Sequence, residues 1–213
     1  MIKAVLFDFD GTLADTNPLI IRTFDETFSM LLPERPLTMA EILACVGPTL
    51  DETGNKYFPD NPQKFVDTYR EINARYHDDM IEIYPGVLDL IATLKEKGLK
   101  LAIVSSKRRD FVIRGLKCVG LFDYFDYIVA CDDVKNPKPD VEPFEKVMNY
   151  YGIEPHECLM VGDNSHDVHG AQNAKIKSVA VGWAFKGRAY LESLAPDYII
   201  DEAQDLIQIV EEN

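Results

Sequence analysis

Residues 3–12 of the chain read KAVLFDFDGT, an apolar run followed by two acidic residues and a glycine. The run at 3–7 has the length and the Val and Leu content of a strand that is buried on both faces. Asp8 and Asp10 follow it, and ligands of open α/β sheets bind beyond the carboxyl ends of strands. Two residues apart, their side chains are expected on one side of an extended segment. An Asp-Gly turn would explain Asp10 but not Asp8, so the segment predicts a sheet strand with a candidate site at its end.

The rest of the chain repeats this pattern of buried strands and amphipathic helices. Further apolar runs occupy residues 99–104, 127–130, 158–162 and 178–182, and a possible edge strand lies at 197–200. Helical periodicity separates these runs, as in the apolar stripe between Val87 and Leu94. Alternating strands and helices predict a parallel sheet with helical crossovers. The expected fold class is therefore α/β, with a Rossmann-like parallel core.

One interval breaks the alternation, because residues 17–82 show helical patterning only. Asn17 is the expected N-cap of a first helix and Pro18 its first residue, and further helices are expected at 38–46 and 65–76. We therefore predict an α/β core of residues 1–16 and 83–213, interrupted by a helical cap of residues 17–82. The alternative, that these helices simply pack on the sheet, stays open.

Composition excludes several classes of protein. The 213 residues include 22 basic and 36 acidic side chains, a net charge of −14, whereas nucleic acids and anionic membranes require a basic surface. No run approaches the roughly 20 apolar residues of a membrane span, and no signal peptide is recognisable. The cysteines form no CxxC pair, which favours reduced thiols and a cytoplasmic protein; they are Cys45, Cys118, Cys131 and Cys158.

A second acidic cluster follows the apolar run at 158–162. Asp163 ends that run, and Asp167 lies four residues later, where one turn of helix would return it to the same face. Helix capping by Asp163 or Ser165 is the alternative. Carboxylates about 4 Å apart repel by about 4 kcal/mol at an effective dielectric constant near 20. A hard cation such as Mg²⁺ removes that repulsion, so two such clusters at two strand ends predict a Mg²⁺ site.

Two further residues suit a phosphoryl-binding site. Ser105 follows the run at 99–104, where its hydroxyl and the next backbone N–H, that of Ser106, could bind a phosphoryl oxygen. Lys138 lies between two prolines of fixed φ in NPKP, residues 136–139. Taken alone, the serine is better explained by an ordinary loop or cap, and a solvated charge is the default interpretation of the lysine.

Together, these segments resemble a known family. The order FDFDGT, IVSS, NPKPD and VGDNSHD is similar to that of the haloacid dehalogenase superfamily, in its phosphatase branch. The resemblance implies that Asp8 is a nucleophile and Asp10 a general acid/base. It also implies that Ser105 binds the transferred phosphoryl group and that Lys138 neutralises its charge.

The resemblance also implies a metal site and an enzyme class. The expected Mg²⁺ ligands are Asp8, the backbone carbonyl of Asp10, and Asp163, with Asp167 contacting these ligands rather than the ion. Haloacid dehalogenases lack the second aspartate of FDFDGT, so Asp10 favours phosphate esters or anhydrides as substrates. A non-catalytic regulatory protein that keeps a metal-binding fold is the alternative from another class, and the intact set of site residues argues against it.

Substrate choice is the finest inference from the resemblance. Stretches such as CVGPTLDET and VGWAFKGRAYL are similar to pyrophosphatase members of the family, which implies a small anionic substrate, inorganic pyrophosphate. Phosphoglycolate is the alternative, followed by sugar phosphates as substrates of a phosphatase or mutase. The sequence indicates no oligomeric state. The expected substrate contacts are Gly11, Thr12, Asn17, Gly47, Pro48, Thr49, Ser106 and Lys107.

Overall fold

The computed structural model describes residues 1–213, which divide into two compact units. The α/β unit consists of Met1–Asp15 and Glu82–Asn213, and the helical unit is Thr16–Ile81. The boundaries expected from the sequence differ from these by one residue at each junction.

The α/β unit is built on a six-stranded sheet in the order β5-β4-β1-β6-β7-β8, and every pair of neighbours is parallel. This arrangement confirms the predicted fold class. Leu6, Val104 and Met160 from neighbouring strands pack with Phe144 in one hydrophobic cluster. The strands are β1 (Ala4–Phe7), β2 (Ala14–Asp15), β3 (Glu82–Ile83), β4 (Lys100–Val104), β5 (Tyr127–Val129), β6 (Cys158–Gly162), β7 (Lys177–Val181) and β8 (Tyr198–Ile200).

Strands β2 and β3 form a separate two-stranded antiparallel ribbon. The sequence did not predict it, because two-residue strands carry no periodicity. The chain also bends at Phe9, and Gly11 adopts a φ of +75° while its N–H donates to the Ala14 carbonyl at 2.9 Å. The expectation of an extended segment through Asp10 is therefore wrong, since β1 ends at Phe7.

The helical unit packs around aromatic side chains. Phe24, Phe28, Phe65 and Tyr69 are buried, and the Phe24 and Tyr69 ring centroids lie 4.7 Å apart. No helix of the chain is long and apolar enough to cross a membrane. The helices of this unit are α1 (Asn17–Leu31), α2 (Met39–Leu43), α3 (Leu50–Tyr57) and α4 (Pro62–Tyr76).

Two details of the helical unit differ from expectation. The N-cap of α1 is Thr16, and Asn17 is already helical, so the predicted cap is wrong by one residue. Proline is accepted throughout the first turn, and Pro18 therefore does not fix which residue caps the helix. Helix α3 was not predicted because its face is poorly apolar, although the reciprocal hydrogen bonds of Thr49 with Glu52 are a capping-box signal.

The remaining helices belong to the α/β unit, where α5 to α9 precede or connect strands of the sheet and α10 follows the last strand. Gly98, with a φ of +80°, follows the end of α5 as the sequence predicted. These helices are α5 (Val87–Glu96), α6 (Arg109–Cys118), α7 (Glu142–Tyr151), α8 (Ser165–Asn173), α9 (Arg188–Ser193) and α10 (Asp205–Glu212).

Candidate active site

Three adjacent strands bring their carboxyl ends to one edge of the sheet. Phe7 of β1 pairs with Ile103 of β4 on one side and with Val161 of β6 on the other. Asp8, Ser105 and Asp163 directly follow these three strands. Backbone hydrogen bonds fix the first two, from the Asp8 N–H to the Val161 carbonyl and from the Ser105 N–H to the Val129 carbonyl, both at 2.9 Å. The topology thus gathers residues that are far apart in the sequence.

Three carboxylates meet at this edge. Oxygen atoms of Asp8, Asp163 and Asp167 all lie within 4.8 Å of one another, close enough to hold one metal ion. Asp167 reaches the cluster from the first turn of α8, where its Oδ2 accepts the Asn164 N–H at 3.1 Å. Asp163 and Asp167 are buried, and buried ionised carboxylates are destabilising unless a positive charge compensates them.

Lys138 supplies one compensating charge. Its Nζ donates to Asp167 Oδ1 at 2.5 Å and to the Val104 carbonyl at 2.7 Å, and lies 3.2 Å from Asp8 Oδ1. The side chain is only 2% exposed. Burial alone would lower the pKa of Lys138, but the charges of Asp167 and Asp8 raise it above its usual range. The lysine is therefore held as an ammonium group among the carboxylates.

One ammonium group does not balance three carboxylates. Burial raises the pKa of Asp8 to about 7, with Asp167 and Asp10 adding to the effect and Lys138 opposing it. Burial also raises the pKa of Asp163 well above its ordinary value, helped by Asp167 and Asp8 and opposed by Lys138 and Lys186. Asp8 Oδ1 is buried, and apart from the Lys138 ammonium group at 3.2 Å it has no hydrogen-bond partner. A buried acceptor with excess negative charge around it fits a hard divalent cation.

Two glycines make room for the carboxylates. A Cβ at Gly11 would overlap the Asp163 carboxylate, and the positive φ there independently disfavours other residues. A Cβ at Gly162 would overlap Asp167. The glycine of FDFDGT and the glycine that ends β6 thus allow the backbone to approach the acidic cluster closely.

Asp10 lies beside this cluster and has a different partner. Its Oδ1 accepts a hydrogen bond from Lys107 Nζ at 2.7 Å, in an ion pair whose side chains are 20% and 14% exposed. The Lys107 N–H donates to Ser105 Oγ at 3.2 Å. Because that oxygen acts as an acceptor, the Ser105 hydroxyl keeps its own proton for another oxygen. Ser106 lies between these residues in the loop after β4.

Other predicted contact residues have structural surroundings of their own. Thr12 is buried; its carbonyl accepts the Trp183 Nε1–H at 3.2 Å, and its hydroxyl has no hydrogen-bond partner. The predicted contacts of the helical unit lie in α1 or just before α3, and they are Asn17, Gly47, Pro48 and Thr49. The Thr49 hydroxyl is engaged with Glu52 as the cap of α3. Substrate contact by these residues stays a prediction.

Sequence reasoning missed two residues near the cluster. Lys186 and Tyr190 both donate to Oδ1 of Asn164, at 3.2 Å and 2.9 Å. Asn164 caps α8 and separates Asp163 from the helix. Both partners lie about twenty residues after the acidic motif, in the stretch VGWAFKGRAYL. That stretch resembles pyrophosphatases, but its residues alone do not indicate a contact with Asn164, which only the fold reveals.

Comparison with known proteins adds a family to this geometry. The family model for haloacid dehalogenase-like hydrolases matches residues 5–181. The chain belongs to this family. Its membership confirms the resemblance drawn from the motifs and the prediction that the protein is an enzyme of the hydrolase class.

Curated relatives and solved structures extend the match over almost the whole chain. The chain is 44% identical over 209 residues to pyrophosphatase PpaX of Halalkalibacterium halodurans, covering 98% of this chain and 97% of that protein. It is 42% identical to pyrophosphatase PpaX of Bacillus cereus, covering 98% and 96%. A crystal structure of a predicted phosphatase from Clostridium acetobutylicum superposes with a TM-score of 0.87 at 25% identity, covering 100% of both chains. The match thus spans nearly the whole length of each of these proteins.

Proposed function

We propose that the protein is a Mg²⁺-dependent pyrophosphatase that forms an aspartyl-phosphate on Asp8. The buried carboxylate cluster around Lys138 carries this proposal, because it occupies the strand ends of a chain that is 44% identical to a pyrophosphatase over 98% of its length. The cytoplasmic location stays a prediction from the sequence.

Asp8 is the nucleophile in this proposal. It directly follows a central strand, and its carboxylate faces the ammonium group of Lys138, whose Nζ lies 3.2 Å from Asp8 Oδ1. Attack of an Asp8 carboxylate oxygen on phosphorus forms the acyl phosphate and breaks the bond to the leaving phosphate. Water then attacks the same phosphorus and releases Asp8. Covalent catalysis thus divides one difficult displacement into two easier ones.

Mg²⁺ would be held by Asp8, the backbone carbonyl of Asp10, and Asp163. The excess negative charge of the buried, closely spaced carboxylates supports this assignment. When bound, the ion supplies positive charge beside the phosphoryl oxygens. Asp167 contributes by holding Lys138, whose ammonium group faces Asp8.

Asp10 transfers protons in both steps. As an acid it protonates the leaving phosphate, and as a base it takes a proton from the attacking water. Its pairing with Lys107 gives the carboxyl group a defined orientation beside Asp8. Lys107 is also the more exposed of the two site lysines, which suits a contact with the second phosphate of pyrophosphate.

The remaining contacts orient the phosphoryl group. At the end of β4, the Ser105 hydroxyl and the backbone N–H of Ser106 would bind phosphoryl oxygens. After the end of β1, the backbone of Gly11 and Thr12 would contact the same group. Within the α/β unit we assign the leaving phosphate to Lys107. Contacts from the helical unit stay predictions from the sequence, at Asn17, Gly47, Pro48 and Thr49.

A phosphate-release screen tests the proposal. Pyrophosphate, phosphoglycolate and several sugar phosphates are compared at equal concentration, with Mg²⁺ and with excess chelator. We expect the highest kcat/KM for pyrophosphate and no release under chelation. A higher kcat/KM for phosphoglycolate than for pyrophosphate would make phosphoglycolate the proposed substrate. The proposed mechanism would then stand unchanged. Silence with every substrate would overturn the proposed activity.

A further inference from the structure

Asn164 connects two of the three carboxylates. It directly follows Asp163 in the chain, and its N–H donates to Asp167 Oδ2 at 3.1 Å. The residue is 6% exposed and has the extended backbone of an N-cap, with φ −137° and ψ 169°. Any rotation of this peptide would therefore move Asp163 and remove a hydrogen bond from Asp167.

Two side chains from a later segment hold Asn164 in place. Tyr190 on α9 donates its hydroxyl proton to Asn164 Oδ1 at 2.9 Å, and the same hydroxyl oxygen accepts the Ser165 N–H at 3.2 Å. Lys186, in the loop before α9, donates to the same Oδ1 at 3.2 Å. Its Nζ also lies 5.0 Å from the centroid of the Tyr190 ring.

We propose that Tyr190 and Lys186 are positioning residues for the divalent-cation site and act on it through Asn164. This inference rests on the Mg²⁺ site proposed above. Groups that orient metal ligands raise the affinity of the site, because the ligands then need no rearrangement when the ion binds. Lys186 adds a positive charge on the Asp163 side of the cluster, and this charge reduces the repulsion between the carboxylates.

The chain contains a matched control for these contacts. Lys177 and Tyr198 both donate to Oδ1 of Asn213, Tyr198 at 3.3 Å, so the same three residue types form a second trio. Lys177 opens β7 and pairs with Leu159 near the start of β6, whereas Asp163 follows the end of β6. The second trio therefore lies at the amino-terminal ends of the strands, whereas the carboxylates lie at the carboxyl-terminal ends.

Calorimetric titration of Mg²⁺ into the metal-free enzyme measures the effect without turnover. We expect Tyr190→Phe and Lys186→Met each to raise the Kd for Mg²⁺ by about 10-fold, the lower range for residues behind a metal ligand. Tyr198→Phe and Lys177→Met should bind Mg²⁺ like the wild type. In phosphate-release assays, the Mg²⁺ concentration for half-maximal rate should rise by the same factor, while kcat at saturating Mg²⁺ stays near the wild-type value.

Thermal unfolding in chelator separates positioning from general stability. A merely structural role predicts a lower Tm without Mg²⁺ and an unchanged Kd in both site variants, and this result overturns the inference while the proposed function stands. Lys186→Arg, which keeps the charge and the donors, should restore most of the affinity lost in Lys186→Met. A wild-type enzyme that takes up no Mg²⁺ overturns the proposed metal site and this inference with it.

Discussion

The α/β unit and the helical unit bury different kinds of polar side chain. The α/β unit buries the ionisable groups Lys138, Asp163 and Asp167 at one edge of its sheet. The helical unit buries threonines, two asparagines and the ionisable side chain of His77, and its hydroxyls can bond to their own helix, as Thr23 Oγ1 donates to the Leu19 carbonyl at 2.6 Å. Buried charge is costly, and uncharged hydroxyls that bond to a helix are not. The buried cluster of opposite charges that the proposed chemistry needs therefore lies in the α/β unit.

Asp8→Asn should have the largest effect on turnover. The substitution keeps the shape and the backbone N–H that bonds to Val161, but it removes the attacking oxygen anion. We expect kcat for pyrophosphate to fall by at least about 10⁴-fold, the scale for removing a covalent nucleophile. Asp126→Asn, at an ion pair with Lys95 elsewhere in the unit, is the control and should leave kcat unchanged. Substantial turnover by Asp8→Asn would refute the nucleophile assignment.

Phe65→Ala and Phe144→Ala should both destabilise the protein but should differ in their effect on Mg²⁺ binding. Both rings are fully buried, one in the helical unit and one in the α/β unit, so each loss should lower the free energy of unfolding by about 3–5 kcal/mol. Phe144 also packs against Gly170 of α8, the helix that carries Asp167. Urea unfolding and Mg²⁺ titration should show the loss of stability in both variants and weaker Mg²⁺ binding only in Phe144→Ala. Equal Mg²⁺ affinities of Phe65→Ala and Phe144→Ala would contradict a metal site supported by the α/β unit alone.

Ser105→Ala should lower kcat by about 10²-fold, because one preorganised donor to the phosphoryl oxygens is lost. The backbone hydrogen bond to Val129 remains, so stability should change little. Ser178→Ala is the counterpart at the start of β7, where the hydroxyl bonds to Asp197. That variant should lose stability and keep kcat. Steady-state kinetics and thermal unfolding of the pair test the distinction, and an unchanged kcat in Ser105→Ala would remove the serine from the mechanism.

Thr49→Ala should have the smallest effect. Thr49 and Thr38 form identical capping boxes with Glu52 and Glu41, so each alanine variant should lower the free energy of unfolding by about 1 kcal/mol. The predicted substrate contact at Thr49 adds a several-fold rise in KM for pyrophosphate, the scale of one lost neutral hydrogen bond of about 1 kcal/mol. If Thr49→Ala and Thr38→Ala have the same KM for pyrophosphate, Thr49 only caps its helix and does not contact the substrate.

Local signals made much of this architecture predictable. The apolar runs marked the strands, and acidic or hydroxyl residues directly after them marked the edge where Asp8, Ser105 and Asp163 lie. Parallel topology then required these strand ends to meet. Lys138 was recognisable from its stiff Pro-Lys-Pro setting, and the structure places its Nζ 2.5 Å from Asp167 Oδ1.

The missed features depend on contacts between distant residues or on very short segments. The β2–β3 ribbon has two residues in each strand, and its pairing of Ala14 with Ile83 joins segments that flank the helical unit. Lys186 and Tyr190 gain their partner only because β7 lies beside β6. The pairing of Lys107 with Asp10 likewise spans two strand ends, and the sequence assigned that lysine to the substrate alone.

Rapid acid quenching of the enzyme with radiolabelled pyrophosphate tests the central claim most directly. Mixed with saturating substrate and Mg²⁺ and stopped within the first turnover, the protein should carry acid-stable, hydroxylamine-sensitive label. Peptide mapping should place that label on Asp8, and Asp8→Asn should carry none. Label on another residue, or label that persists undiminished in Asp8→Asn, would contradict an aspartyl-phosphate at this position.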